Sequence, residues 1–289
     1  MDGILNIYKP SGITSFDVVK KVMKLCNTKK VGHTGTLDPL AEGVLPICVG
    51  KGTKIVDYIM SEIKVYKTQL KLGITTDTYD REGTILSQNE CLIEESQIID
   101  VISSFVGDIE QEPPMYSALK VNGKRLYELA RRGIVIEREK RPVSIYEINI
   151  LDISFPIITF TVTCSKGTYI RSLCKDIGDK LKIGGTMWNL ERIRTGNFTK
   201  DNSVDLGLLN SENIENFMTP IDKALEGHEV LNFSSNHEKL LINGVKINNP
   251  YIIQGIEFNK LYRVYIDKLK FIGLGIRDER GFKIVKLLI

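Results

Sequence analysis

Apolar residues recur at a helical interval early in the chain. Val18, Val19, Val22, Met23 and Cys26 share one face, and Thr14-Ser15-Phe16-Asp17 ahead of them has the hydroxyl-x-x-acid form of a capping box. This pattern predicts a helix over residues 15–26. The run 44–49 is apolar and short, as in a buried strand, and Gly50-Lys51-Gly52 breaks it before a second helical stretch at 53–60. Residues 65–74 alternate: Tyr66, Thr68, Leu70, Leu72 and Ile74 lie on one face, mostly polar residues on the other. That is the signature of a half-buried strand. A polar loop follows at 75–90, with Asp77, Asp80, Arg81 and Glu82, then a helix over 96–106.

Residues 143–153 and 157–164 read as strands. After the turn Ser165-Lys166-Gly167-Thr168, a helix carries Ile170, Leu173, Ile177 and Leu181 on one face until Gly184-Gly185 ends it. Residues 201–229 are polar and acid-leaning. Beyond them the pattern changes to short β-like runs at 245–247, 261–266, 271–276 and 282–288. The whole predicts an α+β arrangement of helices and strands in residues 1–228. The tail, 229–289, predicts a small β-barrel-like or sandwich-like module.

Composition narrows the function classes. The 289 residues are 42% hydrophobic and 26% charged, as in an ordinary globular protein. No apolar run nears the ~18 residues of a membrane helix, and the N-terminus lacks a signal-peptide pattern. Cys26, Cys48, Cys91, Cys164 and Cys174 form no C-x-x-C pair, and His33, His228 and His237 form no metal-ligand spacing. Reduced thiols, a cytoplasmic location and no metal are the expectation. Net charge is only +3, but from Lys120 to Arg141 eight basic residues face three acidic ones, a local +5. Such clustering marks either a solvated helix face or a phosphate-binding surface.

The densest chemistry lies in Gly32-His33-Thr34-Gly35-Thr36-Leu37-Asp38-Pro39. Pro39 biases Asp38 toward extended backbone, and the glycines permit a tight turn before it. An Asp-Pro pair by itself also suits a turn that bonds its own backbone. His33 suits either a structural role or a substrate contact. Tyr66, near the start of its strand, reads as a core aromatic whose hydroxyl can reach a cleft. Arg171 falls in the first turn of its helix, where the dipole opposes a cation by roughly 0.3–1 kcal/mol. Solvent screening, a carboxylate or a bound phosphate can offset that placement. Gly50-Lys51-Gly52-Thr53 has the wrong order for a phosphate loop, and no dinucleotide-binding fingerprint is present.

Taken together, these stretches resemble the TruB family of tRNA pseudouridine synthases. The glycine loop, continued by Leu40-Ala41-Glu42-Gly43-Val44-Leu45-Pro46, resembles its signature loop, and Lys9-Pro10-Ser11-Gly12 its N-terminal segment. Tyr66 with Leu72-Gly73-Ile74-Thr75-Thr76-Asp77-Thr78 resembles its tyrosine strand and following loop. Pro114-Met115-Tyr116-Ser117-Ala118-Leu119-Lys120 resembles its insertion, here about residues 110–141. Cys164-Ser165-Lys166-Gly167-Thr168-Tyr169-Ile170-Arg171-Ser172-Leu173 resembles its arginine motif. The five matches run in family order over roughly residues 3–200, and they imply the family's α+β fold on a mixed or antiparallel sheet. On weaker motif evidence the tail resembles a PUA RNA-binding module.

The resemblance implies an isomerase that flips out the T-loop uridine of tRNA, conventionally U55, cleaves its glycosidic bond and rejoins the uracil through C5. It implies Asp38 as the essential aspartate, acting at C1′, on the base ring, or by C2′ deprotonation. Tyr66 is implied to stack on the base and move a proton, and Arg171 to pair with the aspartate. His33, Tyr169, Leu190 and Lys9 are implied in substrate binding, and Lys120, Lys124 and Arg125 in holding tRNA phosphates. No cofactor, membrane or obligatory protein partner is implied, and a monomer suffices. A non-catalytic RNA binder on the same scaffold would have no need of Asp38, Tyr66 and Arg171. A guide-dependent relative fits the basic insertion and the length less well.

Overall fold

The computed structural model describes residues 1–89, 93–121 and 123–289; Cys91 and Asn122 lie outside them. The N-terminal part is built on one sheet. Its main strands are β1 (Gly3–Lys9), β2 (Glu42–Val49), β3 (Lys64–Leu72), β4 (Gly107–Gln111), β5 (Arg141–Ser154), β6 (Ile157–Cys164), β7 (Gly185–Thr195) and β8 (Val204–Asp205). They lie in the order β8-β1-β2-β7-β3-β6-β5-β4, and three short strands at Val31–His33, Phe198–Thr199 and Met218–Thr219 flank β2, β7 and β1. The β1/β8 and β2/β7 pairs are parallel and the other main pairs antiparallel, so the sheet is mixed.

Helices α1 (Ser15–Leu25), α2 (Glu95–Ser103) and α3 (Ile170–Lys180) cover one face. The predicted capping box is present at α1: Thr14 caps the Asp17 amide and Asp17 caps that of Thr14. Val18, Val22, Ile98, Ile102, Leu173 and Ile177 then pack on Leu5, Leu45, Leu70 and Phe160. The stretch 53–60 is shared between a 3₁₀ turn, Gly50–Ile55, and a short helix, Val56–Ser61. The alternating strand ends at Leu72. Ile74 belongs to a separate hairpin, Ile74–Thr76 with Ile85–Gln88.

Because side chains alternate across a strand, Ile4, Val44 and Cys48 point to the other face from Leu5, Leu45 and Ile47. There they join Ile55, Ile59, Phe198 and Leu225, and also Leu274 and Leu288 from the tail. The tail itself forms a mixed row, β9 (Glu229–Phe233), β10 (Leu261–Ile266), β11 (Lys270–Asp278) and β12 (Gly281–Leu287), with β9 parallel to β10. Among the described residues β9 and β12 are the ends of this row and do not pair with each other. Residues 245–247 form no strand; Ile247 makes a single bridge to Phe282. The junction is also polar: the Tyr265 hydroxyl donates to Asp222 at 2.8 Å, and Arg263 Nε donates to the His228 carbonyl at 2.9 Å.

Candidate active site

The loop between Val31–His33 and β2 is tied down along its length. The Leu37 amide donates to Ser15 Oγ (2.8 Å), which donates back to the Leu37 carbonyl (2.9 Å). The Gly12 amide donates to the Pro39 carbonyl at 2.8 Å, and Ser11 Oγ to that of Leu40 at 2.8 Å. Lys9 lies beneath, fully buried, its ammonium donating to the carbonyls of Pro10 (2.9 Å), Ile13 (2.8 Å) and Pro39 (3.2 Å). Burial pulls Lys9 down to about 8, against the attraction of Asp38 and Glu42. Its three donors are spent on backbone carbonyls, two between β1 and α1 and one on the loop, so in this structure the lysine ties these two segments together. Gly35 takes φ +139°, a conformation open chiefly to glycine, as the chain turns toward Asp38.

Arg171 is the second residue of α3 and only 5% exposed, so solvent screening does not offset its placement. Two carboxylates do. Its Nε lies 3.0 Å from Asp38 Oδ2 and its Nη2 3.3 Å from Asp38 Oδ1, a two-pronged pair. Its Nη1 lies 3.4 Å from Asp80 Oδ2. The remaining donors reach the carbonyls of Tyr116 (2.8 Å) and Thr78 (3.3 Å). Asp80 is oriented in turn by Thr78 Oγ1, which donates to its Oδ1 at 2.6 Å. Asp38 keeps 35% of its side chain open to solvent although protein atoms crowd it on the other sides. That crowding raises its carboxyl above the ordinary range; Arg171 opposes the rise, Asp80 adds to it and Lys9 lowers it.

Tyr66 is 8% exposed, on the core face of β3. Burial raises its phenol, and the nearby Arg192 guanidinium opposes that. His33 ends its short strand, with Nδ1 accepting the Gly35 amide at 3.3 Å; burial first, then Arg192, lowers its pKa. Leu190 lies across from Thr68 on β7. Both line a cleft of about 280 Å³ with Leu40, Glu42 and Arg81. The cleft adjoins the loop; Asp38, Tyr66 and Arg171 are not among its walls. Tyr169 precedes α3, its amide and carbonyl both bonded to the Gln111 side chain at 2.9 and 3.1 Å. This fixes the root of the insertion against the helix bearing Arg171. Lys120, Lys124 and Arg125 lie farther out, exposed, on a small hairpin before the short helix Leu126–Ala130.

The structure thus gathers Asp38 and Arg171 directly, sets Tyr66 and His33 around Arg192, and leaves the basic hairpin on the surface. Asp80 and Arg192 carried no sequence signal beyond membership of a polar loop and of a charged stretch. Among the described residues no group of three or more His, Cys, Asp or Glu side chains is gathered to hold a metal. No helix there is long and apolar enough to cross a membrane.

A model of the TruB family pseudouridylate synthase N-terminal domain matches residues 23–170, and one of the tRNA pseudouridylate synthase B C-terminal domain matches residues 171–226. The chain belongs to the TruB family. TruB relatives extend the match over the whole length: tRNA pseudouridine synthase B of Clostridium novyi is 57% identical over 289 residues, covering both chains fully. That of Alkaliphilus oremlandii is 45% identical over 293 residues, covering 100% of this chain and 98% of its own. Among solved structures, the crystal structure of a Cbf5-Nop10-Gar1 complex contains a chain of the same fold (TM-score 0.77, 27% identity), covering 99% of this chain and 85% of that one. As a TruB-family member the protein is a pseudouridine synthase, an isomerase that converts uridine to pseudouridine in tRNA.

Proposed function

We propose that the enzyme acts on the T-loop uridine at position 55 of tRNA, flips it from the stack, and isomerises it with Asp38 as the essential carboxylate. The observation that carries this reading is the two-pronged Arg171–Asp38 pair at the mouth of an otherwise crowded site. Arg171 aims the carboxylate and favours its charged form against the crowding that strips water from it, and a carboxylate poor in water is more reactive than a solvated one. Its open edge is where the sugar–base junction of a flipped nucleotide meets it. Extruding the uridine costs a few kcal/mol of stacking. Aromatic and apolar surface from Tyr66, Leu190 and Tyr169 offsets that cost, at ~1–3 kcal/mol per stacked base.

The products need no external group. The N1–C1′ bond breaks, the uracil turns, and C5 bonds to C1′. C5 gives up a proton and N1 gains one, so the sum is an isomer. In this reading Asp38 supplies the carboxylate and Tyr66 moves the proton. The exposed Lys120, Lys124 and Arg125 supply charge for phosphates on the arm. The decisive experiment is Asp38→Asn on a T-arm stem-loop. Pseudouridine formation, read by carbodiimide-primed extension, is expected to vanish while RNA affinity holds. Undiminished product overturns the reading.

A further inference from the structure

Arg192 is the largest fully buried side chain, 1% exposed in the middle of the sheet. Its Nε donates to the Val44 carbonyl at 2.7 Å and its Nη2 to the Gly35 carbonyl at 3.0 Å. These two carbonyls bracket the catalytic loop, Gly35 three residues before Asp38 and Val44 six after. The backbone of Arg192 takes part as well, pairing in parallel with Gly43. Among the described residues no carboxylate lies within salt-bridge distance of it.

Burying a cation without a counterion is unfavourable, and carbonyl dipoles offset that only in part. Its field therefore falls on what faces it. Those groups are Tyr66 and Lys64 from β3, Lys9 from β1, His33 from the loop's first strand and Cys164 from β6. Tyr66 is its partner in the β3–β7 ladder, so the two side chains share one face. Besides Arg192, Tyr66 faces Cys164 and Asp38.

We propose that Arg192 is a positioning residue of the isomerisation: one guanidinium clamps both ends of the loop that presents Asp38 and holds a positive charge against the Tyr66 hydroxyl. This rests on the reading that Asp38 and Tyr66 act on the target uridine. Two otherwise separate parts of the site, a loop and a strand, are set by the same side chain.

The test compares wild type with Arg192→Gln, Arg192→Lys, Tyr66→Phe and the double variant Tyr66→Phe/Arg192→Gln, on the T-arm stem-loop under single turnover. A displaced catalytic group costs ~10²-fold. Arg192→Gln is therefore expected to slow chemistry about a hundredfold, with RNA affinity changed less than about twofold. Arg192→Lys keeps the charge but reaches one carbonyl, and recovers part of the loss. The pH–rate limb that Tyr66 controls moves upward in Arg192→Gln and stays put in Arg192→Lys. In the Tyr66→Phe background, Arg192→Gln moves no limb.

Wild-type rate in Arg192→Gln overturns the proposal. So does a slowed variant with an unmoved pH profile and a lowered melting temperature, which marks a role in folding alone. If Arg192→Gln does not fold, a wild-type rate in Arg192→Lys overturns it. Wild-type protein that makes no pseudouridine in this RNA overturns the underlying reading instead.

Discussion

Lys9 has no surface of its own; its charge serves three carbonyls around the loop that bears Asp38. Lys9→Met leaves those acceptors without a donor, at ~1–3 kcal/mol for each that water cannot reach. The expected result is a lower urea midpoint and slower turnover; an unmoved midpoint would show that the ammonium contributes nothing there. The sign of the pH dependence follows from burial. In the folded state Lys9 loses its proton near 8, in the unfolded chain near its ordinary 10.5. Below about 8 both states are charged and the fold bears the full cost of the buried charge. Between the two values the folded state holds fewer protons, so stability rises with pH. The stability difference of wild type over Lys9→Met is therefore expected to grow from about pH 8 toward 10. At this scale Asp38, Tyr66 and Arg171 were legible through their motifs. The position of Arg171 in the first turn of its helix left solvent, a carboxylate or a phosphate open, and Asp38 and Asp80 fill that role. Asp80 and Arg192 were not, because a polar loop and a run such as Glu191-Arg192-Ile193-Arg194 look the same in sequence whether buried or solvated.

Elements were legible where packing imposed a regular period. Helix α1 and strand β3 have one clean buried face each, and both lie close to where the pattern put them. Strand β7 escaped notice, although it lies at the centre of the sheet. Bulges between Met187 and Asn189 and between Arg192 and Arg194 shift its register twice, which breaks the alternation a reader looks for. Strand β1 hides for another reason: buried Asn6 and Lys9 interrupt an otherwise apolar run. The crossing of β2 and β7 is what gives the site its shape, and it depends on Gly43. That residue holds φ +112°, and a Cβ there would stand 2.2 Å from the Arg192 carbonyl oxygen. Gly43→Ala is expected to cost at least ~1–3 kcal/mol in strain and to lower activity with stability. Gly207→Ala, where a Cβ meets nothing within 4 Å, is the matched control. Equal melting curves for the two variants would contradict this account.

At the scale of the molecule, the sequence changes pattern near residues 225–232, yet the stretches on either side share a core. Leu274 and Leu288 complete the cluster that covers Ile4, Val44 and Cys48. A chain ended at residue 228 thus exposes an apolar face of the main sheet. Such a truncation is expected to aggregate, or to melt about 5 °C lower or more, since ~1 kcal/mol corresponds to ~2–4 °C at this size. Its loss of tRNA affinity would then report stability as much as contact. A soluble fragment with the melting temperature of the full chain would refute the shared core. Charge reversal on the exposed lysines of the tail, read as a change in the salt dependence of binding, separates contact from stability.

The shared core also bears on how the polypeptide is made. Ile4 is synthesised well before Leu288, yet both lie in one apolar cluster. At ~5–20 residues per second, the first strand waits tens of seconds for that partner. Strand β8 and the Met218–Thr219 strand, which pair with β1, also arrive late. Folding of the main sheet is therefore coupled to synthesis of the tail: β1 stays partly unsealed until Leu274 and Leu288 have been made.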